Sequence, residues 1–547
     1  MLGSALVMLT VTGCSSSTSQ KPQPLVVTPL PPPAPSPPPQ LPEPPPRAEV
    51  LPEAFESSDF FVTVAKPGDT PESLATRYLG SPGKAWMIED YIGVRSFPAG
   101  VEVVIPKRDW NPPGVYPSGY QVVPVLVYHN IGAQRKGRLL IASSTFEEQM
   151  RYLKAEGYHA IRLVDFLDYL AQKRQLPKKS VMITFDDGHK GFLQYAQPVL
   201  KEMGFPAVLF IQSDQIAQRP NASSLSWPEL RELLKDNVEV QAHSKTHGDL
   251  RRAAGEAEPA YARRMQAELG IPLALLRAQL PEPTRGRETI AYPYGEWDDG
   301  FLRYVKQYGY SAGFTVRREA NAAFIPPFRV NRSQIFSDLT MEEFAKNLNT
   351  FQQEPLLSDA APANKPPQAP APSLSIRQQW AARHNRNSEA FMSRGMLRQA
   401  LDESKIALTI DPTDTTALTQ QKQLESRIES EVAARMQQGG KVPGADGRRQ
   451  FLAALALNPA SATAFDAVRN SAPPPEAPRI AAQPAKSLTH TVRPNETPSS
   501  LADLYYGDRS LAEVIERANG LKSGAPLAVG RQLKIPEVAG IPFLRPD

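Results

Sequence analysis

Strand-like and helix-like patterns alternate between residues 121 and 349, and this alternation limits the fold more than any other sequence feature. Short apolar runs are separated by amphipathic stretches such as Phe146–Glu156 and Phe192–Met203. Such runs are typical of parallel strands buried on both faces. The runs are Val122–Tyr128, Val181–Phe185, Ala207–Ile211, Val238–Ala242, Thr289–Ala291 and Ser311–Thr315. They predict a barrel-like α/β fold with functional side chains after the strand carboxyl ends.

The length of the chain indicates several folded units joined by linkers. Its 547 residues are too many for one ordinary domain, and 56 of them are proline. The net charge is only +4, from 61 basic and 57 acidic residues, so nothing points to nucleic acid as a partner. The single cysteine excludes an internal disulfide.

The lone cysteine, Cys14, follows a short N-terminal run of apolar and small residues. This run resembles a bacterial lipoprotein signal, which implies removal of residues 1–13 and lipidation of Cys14. The alternative is a cysteine buried in a short apolar segment. No lysine or arginine precedes the run, which leaves a start codon further upstream open. After residue 14 no apolar run reaches the roughly 20 residues that span a bilayer, so we expect a lipid anchor.

Residues 21–52 are dominated by proline, with three separate Pro-Pro-Pro runs. Such a segment favours extended polyproline II over a helix or a sheet strand. Beside a lipidated cysteine, it predicts a stalk.

A sequence repeat links the two ends of the chain. Residues of the first copy recur in the second at one constant offset. They are Thr70, Pro71, Ser73, Leu74, Ala75, Tyr78 and Gly80, repeated as Thr497, Pro498, Ser500, Leu501, Ala502, Tyr505 and Gly507. Each copy ends in a strand-like run, Val103–Pro106 or Leu533–Pro536, and each threonine stands where a helix N-cap would. The pattern predicts strand, helix, helix and strand.

Both copies resemble the LysM module, a small fold that binds N-acetylglucosamine-containing glycans such as peptidoglycan and chitin. The second copy is closer, because it has Ala518-Asn519-Gly520 where the first has Tyr91-Ile92-Gly93. The position of the family's ligand groove implies contacts at a turn in each copy. These residues are Gly68, Asp69 and Thr70, and Asn495, Glu496 and Thr497. The alternative is that they only form the turn and cap the helix.

An alanine-rich helical pattern lies between Ile376 and Val468. The turn Ile410-Asp411-Pro412 has an echo at Leu457-Asn458-Pro459. The pattern resembles tetratricopeptide-type helical hairpins, in which small residues let paired helices approach. Such hairpins serve as spacers or as docking surfaces for a protein partner, and the sequence does not decide between them.

Three polar clusters each follow a predicted strand: Thr184–Gly188, His243–His247 and Ala291–Gly295. In the first, successive carboxylates on an extended backbone point opposite ways, so one can bind a cation while the other acts as a base. In the second, two histidines at i and i+4 would share one face of a helical turn, which suits a metal. The third is a tight turn that could offer backbone N–H groups to an oxyanion.

Together and in this order, the clusters resemble the polysaccharide deacetylase family, also known as the NodB-homology domain or carbohydrate esterase family 4. The resemblance implies that Asp187, His243 and His247 bind a divalent metal, with Zn²⁺ favoured by the ligand types. It implies Asp186 as the general base and the backbone N–H of Tyr294 as an oxyanion donor. The implied reaction is metal-assisted hydrolysis of an acetamide to acetate and a free amine.

Two departures from the family pattern concern the partners of the base. Many members have an arginine that orients the base where this chain has Ala291, and Arg329 or Arg332 could supply that charge. No histidine follows His247 within this segment, so the late acid of many members is missing. His129 is the candidate acid, and a buried strand-end histidine is the alternative. Both departures resemble the branch that includes poly-N-acetylglucosamine deacetylases.

Further residues near the third cluster are candidates for substrate binding. We assign this role to Tyr292, Pro293, Trp297 and Arg329, with Trp297 as an apolar wall against the sugar or the acetyl methyl group, or else as core. His159 and His189 are predicted to be structural.

Three functions remain open from the sequence. The first is deacetylation of peptidoglycan or of a poly-N-acetylglucosamine-type exopolysaccharide. The second is a non-catalytic peptidoglycan-binding scaffold, and the third is another amide hydrolase on the same fold. The expected location is the cell envelope, lipid-anchored at the periplasmic face of the outer membrane.

The predicted organisation is multidomain: a distorted (β/α) barrel, two small βααβ modules and one α-helical hairpin segment. Its parts are a signal peptide (1–13), a proline-rich linker (14–57), the first module (58–110), the central segment (118–352), a linker (353–374), the helical segment (375–470), a linker (471–487) and the second module (488–538).

Overall fold

The structure is a computed structural model, which describes residues 51–221, 223–281, 286–357, 375–471, 487–493, 496–506, 511–521 and 527–536. The predicted signal peptide, Cys14 and most of the proline-rich linker lie outside these ranges, as do residues 358–374 and 472–486. Within the described ranges, no helix combines the length and the apolar character needed to cross a membrane.

The first module is a three-stranded antiparallel sheet with two helices. Its elements are β1 (Ala54–Glu56), β2 (Phe60–Val64), α1 (Pro71–Leu79), α2 (Ala85–Ile92) and β3 (Glu102–Pro106). The predicted N-cap is confirmed, because Thr70 Oγ1 accepts the Ser73 N–H at 3.2 Å. β1 precedes the predicted start of the module at residue 58, because it pairs with β2 and completes the sheet edge.

The central segment is an α/β domain around one parallel sheet. Its strands are β4 (Val115–Tyr116), β5 (Gly119–Gln121), β6 (Val125–Tyr128), β7 (Asn130–Gly132), β8 (Leu140–Ala142), β9 (His159–Ala160), β10 (Ser180–Asp187), β11 (Ala207–Ile211), β12 (Val238–Ala242), β13 (Thr289–Ala291), β14 (Ala312–Phe314), β15 (Ser333–Gln334) and β16 (Phe351–Gln353). Its helices are α3 (Ser143–Ala155), α4 (Leu163–Leu170), α5 (Gln197–Met203), α6 (Trp227–Leu233), α7 (Glu258–Met265), α8 (Ile271–Gln279), α9 (Asp299–Gln307) and α10 (Met341–Ala345). All six predicted strands are present, which confirms the predicted fold class.

The order of the strands brings the three polar clusters to one edge of the sheet. The order is β14-β13-β12-β11-β10-β6-β15, with β9 paired to β10, and all of these pairs are parallel. The register aligns Asp187 with Ile211, Ile211 with Ala242 and Ala242 with Ile290. The residues that follow β10, β12 and β13 therefore meet at the carboxyl edge, as expected for an α/β barrel.

The helical segment consists of consecutive helices joined by short loops. They are α11 (Ile376–Met392), α12 (Leu397–Ile410), α13 (Thr415–Lys441), α14 (Gly444–Leu457) and α15 (Ala462–Asn470). Small residues allow close packing, as predicted: a Cβ at Gly439 would lie 2.5 Å from the Phe451 ring. The helical content is confirmed, and the tetratricopeptide identity stays a prediction.

The helical segment packs against its own chain on two sides. Ile406 and Ile410 share a hydrophobic cluster with Phe60 of the first module. Leu455 and Phe465 lie in a second cluster with residues of the central segment. Much of the apolar surface of the helical segment is therefore buried against other parts of the same chain.

A buried charge cluster joins the helical segment to the first module. His384 contacts the Glu403 carboxylate through Nδ1 at 2.7 Å and the Glu102 carboxylate through Nε2 at 2.9 Å. Because both partners accept, both ring nitrogens donate and the imidazole carries a positive charge. Burial alone would lower the pKa of His384, but the hydrogen bonds to Glu102 and Glu403 outweigh it and raise the pKa above 6.5.

We expect His384→Gln to destabilise the protein by about 1–3 kcal/mol near pH 6, because charge-assisted hydrogen bonds are lost. A raised folded-state pKa contributes stability that is fully present below the unfolded value of about 6.5 and is lost as the pH rises through the folded pKa. Denaturant unfolding of both proteins from pH 6 to 9 should therefore show a shrinking difference. A difference that does not change with pH would contradict the assignment.

The second module repeats the helix pair of the first. Its elements are β17 (Ser487–Thr491), α16 (Pro498–Tyr506), α17 (Ala512–Ala518) and β18 (Gln532–Pro536). Thr497 Oγ1 accepts the Ser500 N–H at 3.1 Å, which confirms the second predicted N-cap. The Asn519 side chain bonds both the N–H and the carbonyl of Lys534 at 2.7 Å, so it holds the loop onto β18.

The turn residues predicted as glycan contacts also have structural partners. The Asp69 carboxylate lies 2.7 Å from the Arg77 guanidinium and accepts the Lys66 N–H at 2.8 Å. The Glu496 carboxylate lies 2.6 Å from His490 Nε2. Asn495 lies outside the described residues. Glycan contact by this set stays a prediction.

Candidate metal and catalytic site

Three side chains converge where β10, β12 and β13 end. One ligand atom each from Asp187, His243 and His247 lies within 4.8 Å of the others. The Nε2 atoms of both histidines are 3.6 Å from Asp187 Oδ1. A carboxylate and two imidazoles are a donor set that fits a divalent cation. The structure thus brings together the predicted metal ligands.

The two histidines lie on a loop, so the predicted helical turn is wrong. Ser244 and His247 have positive φ angles of 64° and 61°, which no right-handed helix contains. The Glu268 carboxylate holds the loop by accepting the backbone N–H groups of Lys245 at 3.1 Å and Thr246 at 3.0 Å. The sequence carries no signal for Glu268, because it lies on a different element 21 or more residues further along.

The two adjacent aspartates do not diverge as an extended strand would require. Asp187 has a φ of 74°, so the strand geometry ends there. As a result the carboxylates of Asp186 and Asp187 lie 3.7 and 3.6 Å from His243 Nε2. The prediction that the two aspartate side chains point in opposite directions is therefore wrong. The difference between Asp186 and Asp187 lies in the groups that each carboxylate contacts.

The tautomer of His243 suits metal binding. Its Nδ1–H donates to the Ala291 carbonyl at 2.9 Å, which leaves Nε2 with a lone pair directed to the site. Burial lowers the pKa of His243 to about 4, so the ring is neutral near pH 7.

Arg332 is the partner of Asp186. Its guanidinium makes two parallel bonds to the carboxylate, at 2.7 and 2.8 Å, and both side chains are buried. Nε of Arg332 also donates to the Thr315 carbonyl at 2.9 Å. Burial alone would raise the pKa of Asp186, but the Arg332 charge outweighs it and the pKa lies below 3.8. Asp186 is therefore ionised near pH 7.

Of the two predicted arginines, Arg329 takes a different position. Its guanidinium lies 4.2 Å from the Trp297 ring centroid and 3.4 Å from the Asp299 carboxylate. Arg329 and Trp297 thus form a stacked pair, with Arg329 exposed and Trp297 partly buried against the main core. Their contact with a substrate stays a prediction.

Two more histidines lie near the aspartates. His129 follows Tyr128, which pairs with Phe185, so it stands beside Asp186 on the neighbouring strand. Its Nδ1 is buried without a hydrogen-bond partner among the described residues. Burial lowers its pKa below 6.5.

His189, predicted to be structural, lies at the site. Its Nε2 is 3.3 Å from Asp187 Oδ2, so it orients a ligand carboxylate. Burial raises the pKa of Asp187, but His189 and the neighbouring imidazoles outweigh it and hold that pKa far below the usual range. The only feature of the sequence that could have placed His189 at the site is its position two residues after Asp187, in the turn that ends β10. His159 lies on β9, and nothing in the structure contradicts its structural role.

The third cluster is divided between the core and the site. Tyr292 is fully buried and its hydroxyl donates to the Phe328 carbonyl at 3.0 Å, so its side chain is not available to a substrate. Pro293 is also buried. The predicted substrate contacts of these two side chains are therefore wrong, because both side chains are buried. Tyr294, with a φ of 60°, lies at the site, and its ring centroid is 4.8 Å from that of His247.

Comparison with known proteins assigns two parts of the chain. Residues 173–313 match the family model for polysaccharide deacetylases, and residues 490–536 match the model for the LysM domain. A poly-β-1,6-N-acetyl-D-glucosamine N-deacetylase of Staphylococcus aureus (strain MSSA476) is 29% identical over 218 residues, covering 39% of this chain and 73% of that protein.

Two solved structures are also similar to part of the chain. The Streptococcus pyogenes deacetylase PplD in complex with acetate has 24% identity and a TM-score of 0.37, over 42% of this chain and 100% of that one. IcaB from Ammonifex degensii has 24% identity and a TM-score of 0.36, over 42% of this chain and 98% of that one.

The matched range of the deacetylase model contains all three polar clusters. The chain therefore contains a polysaccharide deacetylase domain, and its enzyme class is that of the polysaccharide N-deacetylases. It also carries a LysM domain, a module that implies glycan binding. His129 and Arg332 lie outside the matched range, so only the fold places them at the site.

Proposed function

We propose that this protein is a metal-dependent hydrolase. It removes N-acetyl groups from a cell-wall or extracellular polysaccharide that contains N-acetylglucosamine. The observation that carries the proposal is the convergence of Asp187, His243 and His247, with Asp186 beside them and paired separately to Arg332. Three protein ligands leave positions on a cation for water and substrate, which distinguishes catalytic from structural sites.

Zn²⁺ is the proposed metal. Ligand atoms bound tetrahedrally at about 2.0–2.2 Å lie about 3.4 Å apart, and the two histidine Nε2 atoms are 3.6 Å from Asp187 Oδ1. When bound, such a cation polarises a carbonyl oxygen and makes a nearby water more acidic.

The residues of the site divide the remaining work. Asp186, ionised and held by Arg332, accepts a proton from the attacking water. The backbone N–H of Tyr294 donates to the oxyanion that forms at the acetamide oxygen when water attacks the carbonyl carbon. His129 protonates the leaving nitrogen. Because burial lowers the pKa of His129, its imidazole is neutral at rest. It therefore first takes up the proton that Asp186 accepted from the attacking water, and then donates that proton to the leaving nitrogen.

Two substrates remain in the proposal. The name of the Staphylococcus aureus relative favours a poly-β-1,6-linked N-acetylglucosamine polymer. The LysM domain favours peptidoglycan. The proposed location is the cell envelope, with Cys14 lipidated at the periplasmic face of the outer membrane, and the first module is proposed to be a second LysM module. We also propose that a protein partner can bind the helical segment, on the part of its surface that does not pack against the first module or the central segment.

The test combines metal content with acetate release from both polymers. We expect His243→Ala and His247→Ala each to lower bound Zn²⁺ and acetate release at least about tenfold, because each removes one of three ligands. His159→Ala, on β9, is the matched control and should leave both unchanged. Wild-type protein that holds metal and binds glycan without releasing acetate would support the scaffold function instead.

A further inference from the structure

The second module lies against the deacetylase site. Tyr294, whose ring contacts His247, also packs against the hydrophobic cluster of the second module. The buried members of that cluster are Val492, Leu501, Ala502, Tyr505, Leu511, Ile515, Leu533 and Ile535. The residue that we assign to the oxyanion is thus in contact with both His247, one of the proposed metal ligands, and the second module.

A second, polar contact joins the same two parts. The Arg517 guanidinium at the end of α17 lies 3.3 Å from the carboxylate of Asp249, which is two residues after His247. The Arg251 guanidinium lies 2.8 Å from the same carboxylate, so Arg251 holds the Asp249 side chain in place independently of Arg517. Arg517 is 54% exposed, and exposed ion pairs contribute little to stability. The contact therefore orients the module more than it stabilises it.

The module does not seal the site. The side chains of Asp187 and His247 remain 18% and 21% exposed. A module that contacts the rim while leaving the ligands accessible is a wall of a cleft, and not a lid.

We propose that the second module and the deacetylase site form one continuous glycan-binding surface, which makes the enzyme selective for long polymers over short oligomers. This inference rests on the proposed function. A polymer held by the module has its next acetamides at high effective concentration beside Asp186 and Tyr294. A short oligomer reaches the site without spanning the module, so it gains nothing from this contact.

The test is charge reversal at the contact in the full-length protein. We expect Arg517→Glu, which faces Asp249, to raise KM about three- to tenfold for the polymer that the acetate-release assay identifies as the better substrate. We expect kcat/KM for the N-acetylglucosamine trimer of the same linkage to stay unchanged. Lys235→Glu is the matched control, because Lys235 is 70% exposed and lies just before β12, at the opposite end of that strand from the site. It should change neither value.

An equal loss on polymer and trimer would overturn the proposal, and so would no loss on either. Cross-linking tests the docked position of the second module without any enzyme activity. It therefore distinguishes a failure of this proposal from a failure of the proposed function. In a Cys14→Ser background, which removes the only natural thiol, Asp249→Cys with Arg517→Cys should be joined by a short bis-maleimide. The pair Asp249→Cys with Lys235→Cys should react markedly less, because Lys235 lies before β12 and Asp249 lies after it, so the strand separates the two positions. Equal reaction of the two pairs would contradict the docked position of the module.

Discussion

Asp186→Asn is expected to lower kcat for acetate release about a hundred- to ten-thousandfold, the range typical of a lost general base. The amide has the shape of the carboxylate but cannot accept the proton of the attacking water. Asp187, His243 and His247 are untouched, so bound metal should remain at the wild-type level. Single-turnover acetate release and metal analysis of the same preparations check both expectations.

The matched control for this substitution is Asp299→Asn, at an aspartate of the same domain whose side chain is 90% exposed. It should leave kcat and metal content unchanged. If Asp186→Asn kept its metal and also kept most of its activity, the base would have to be another group. Loss of metal in that variant would instead make Asp186 part of the ligand set.

Arg332→Met is expected to lower the free energy of unfolding by about 3–5 kcal/mol at pH 7, because it leaves the Asp186 carboxylate buried without its counter-charge. The pKa of Asp186 should rise in the variant, since Arg332 is what lowers it. In the wild type the depressed pKa keeps the contribution of Asp186 to stability until the pH falls below the unfolded value of about 3.9. In the variant the raised pKa lets the buried carboxylate take up a proton at higher pH, which removes the uncompensated charge. The cost of the substitution should therefore shrink toward low pH, as denaturant unfolding at pH 7 and pH 4 can measure.

Arg329→Met is the control for the loss of a neighbouring arginine. Arg329 is exposed, so its replacement should change the unfolding free energy by less than about 1 kcal/mol. The double variant Asp186→Asn with Arg332→Met should be more stable than Arg332→Met alone, because no buried charge remains. Equal costs for the two single arginine variants would contradict the importance of the buried pair.

Local patterns were sufficient for the elements and for the order of the modules. The apolar run at β10 predicts a buried strand because burial on both faces leaves no polar position. Thr70 and Thr497 predict helix starts because a cap depends only on residues within one turn. The clusters after β10, β12 and β13 were found because each is contiguous in the chain.

The direction and partner of each side chain required contacts between distant parts of the chain. Arg332 is paired with Asp186, 146 residues earlier, because β15 lies beside β6 and close to β10. No spacing rule separates it from Arg329, three residues away. Tyr292 was predicted from the sequence to contact the substrate, and only its packing in the main hydrophobic cluster shows that it lies in the core.

The amino-acid sequence by itself thus determined six strands of the central sheet, the capped helices, the repeat at the two ends of the chain and the three polar clusters after β10, β12 and β13, because each of these depends on neighbouring residues. The tertiary structure alone decided that His243 and His247 meet on a loop, that Arg332 holds Asp186, and that the second module rests on Tyr294. The physical reason is that burial and charge pairing act between atoms close in space, and the fold sets which residues those are.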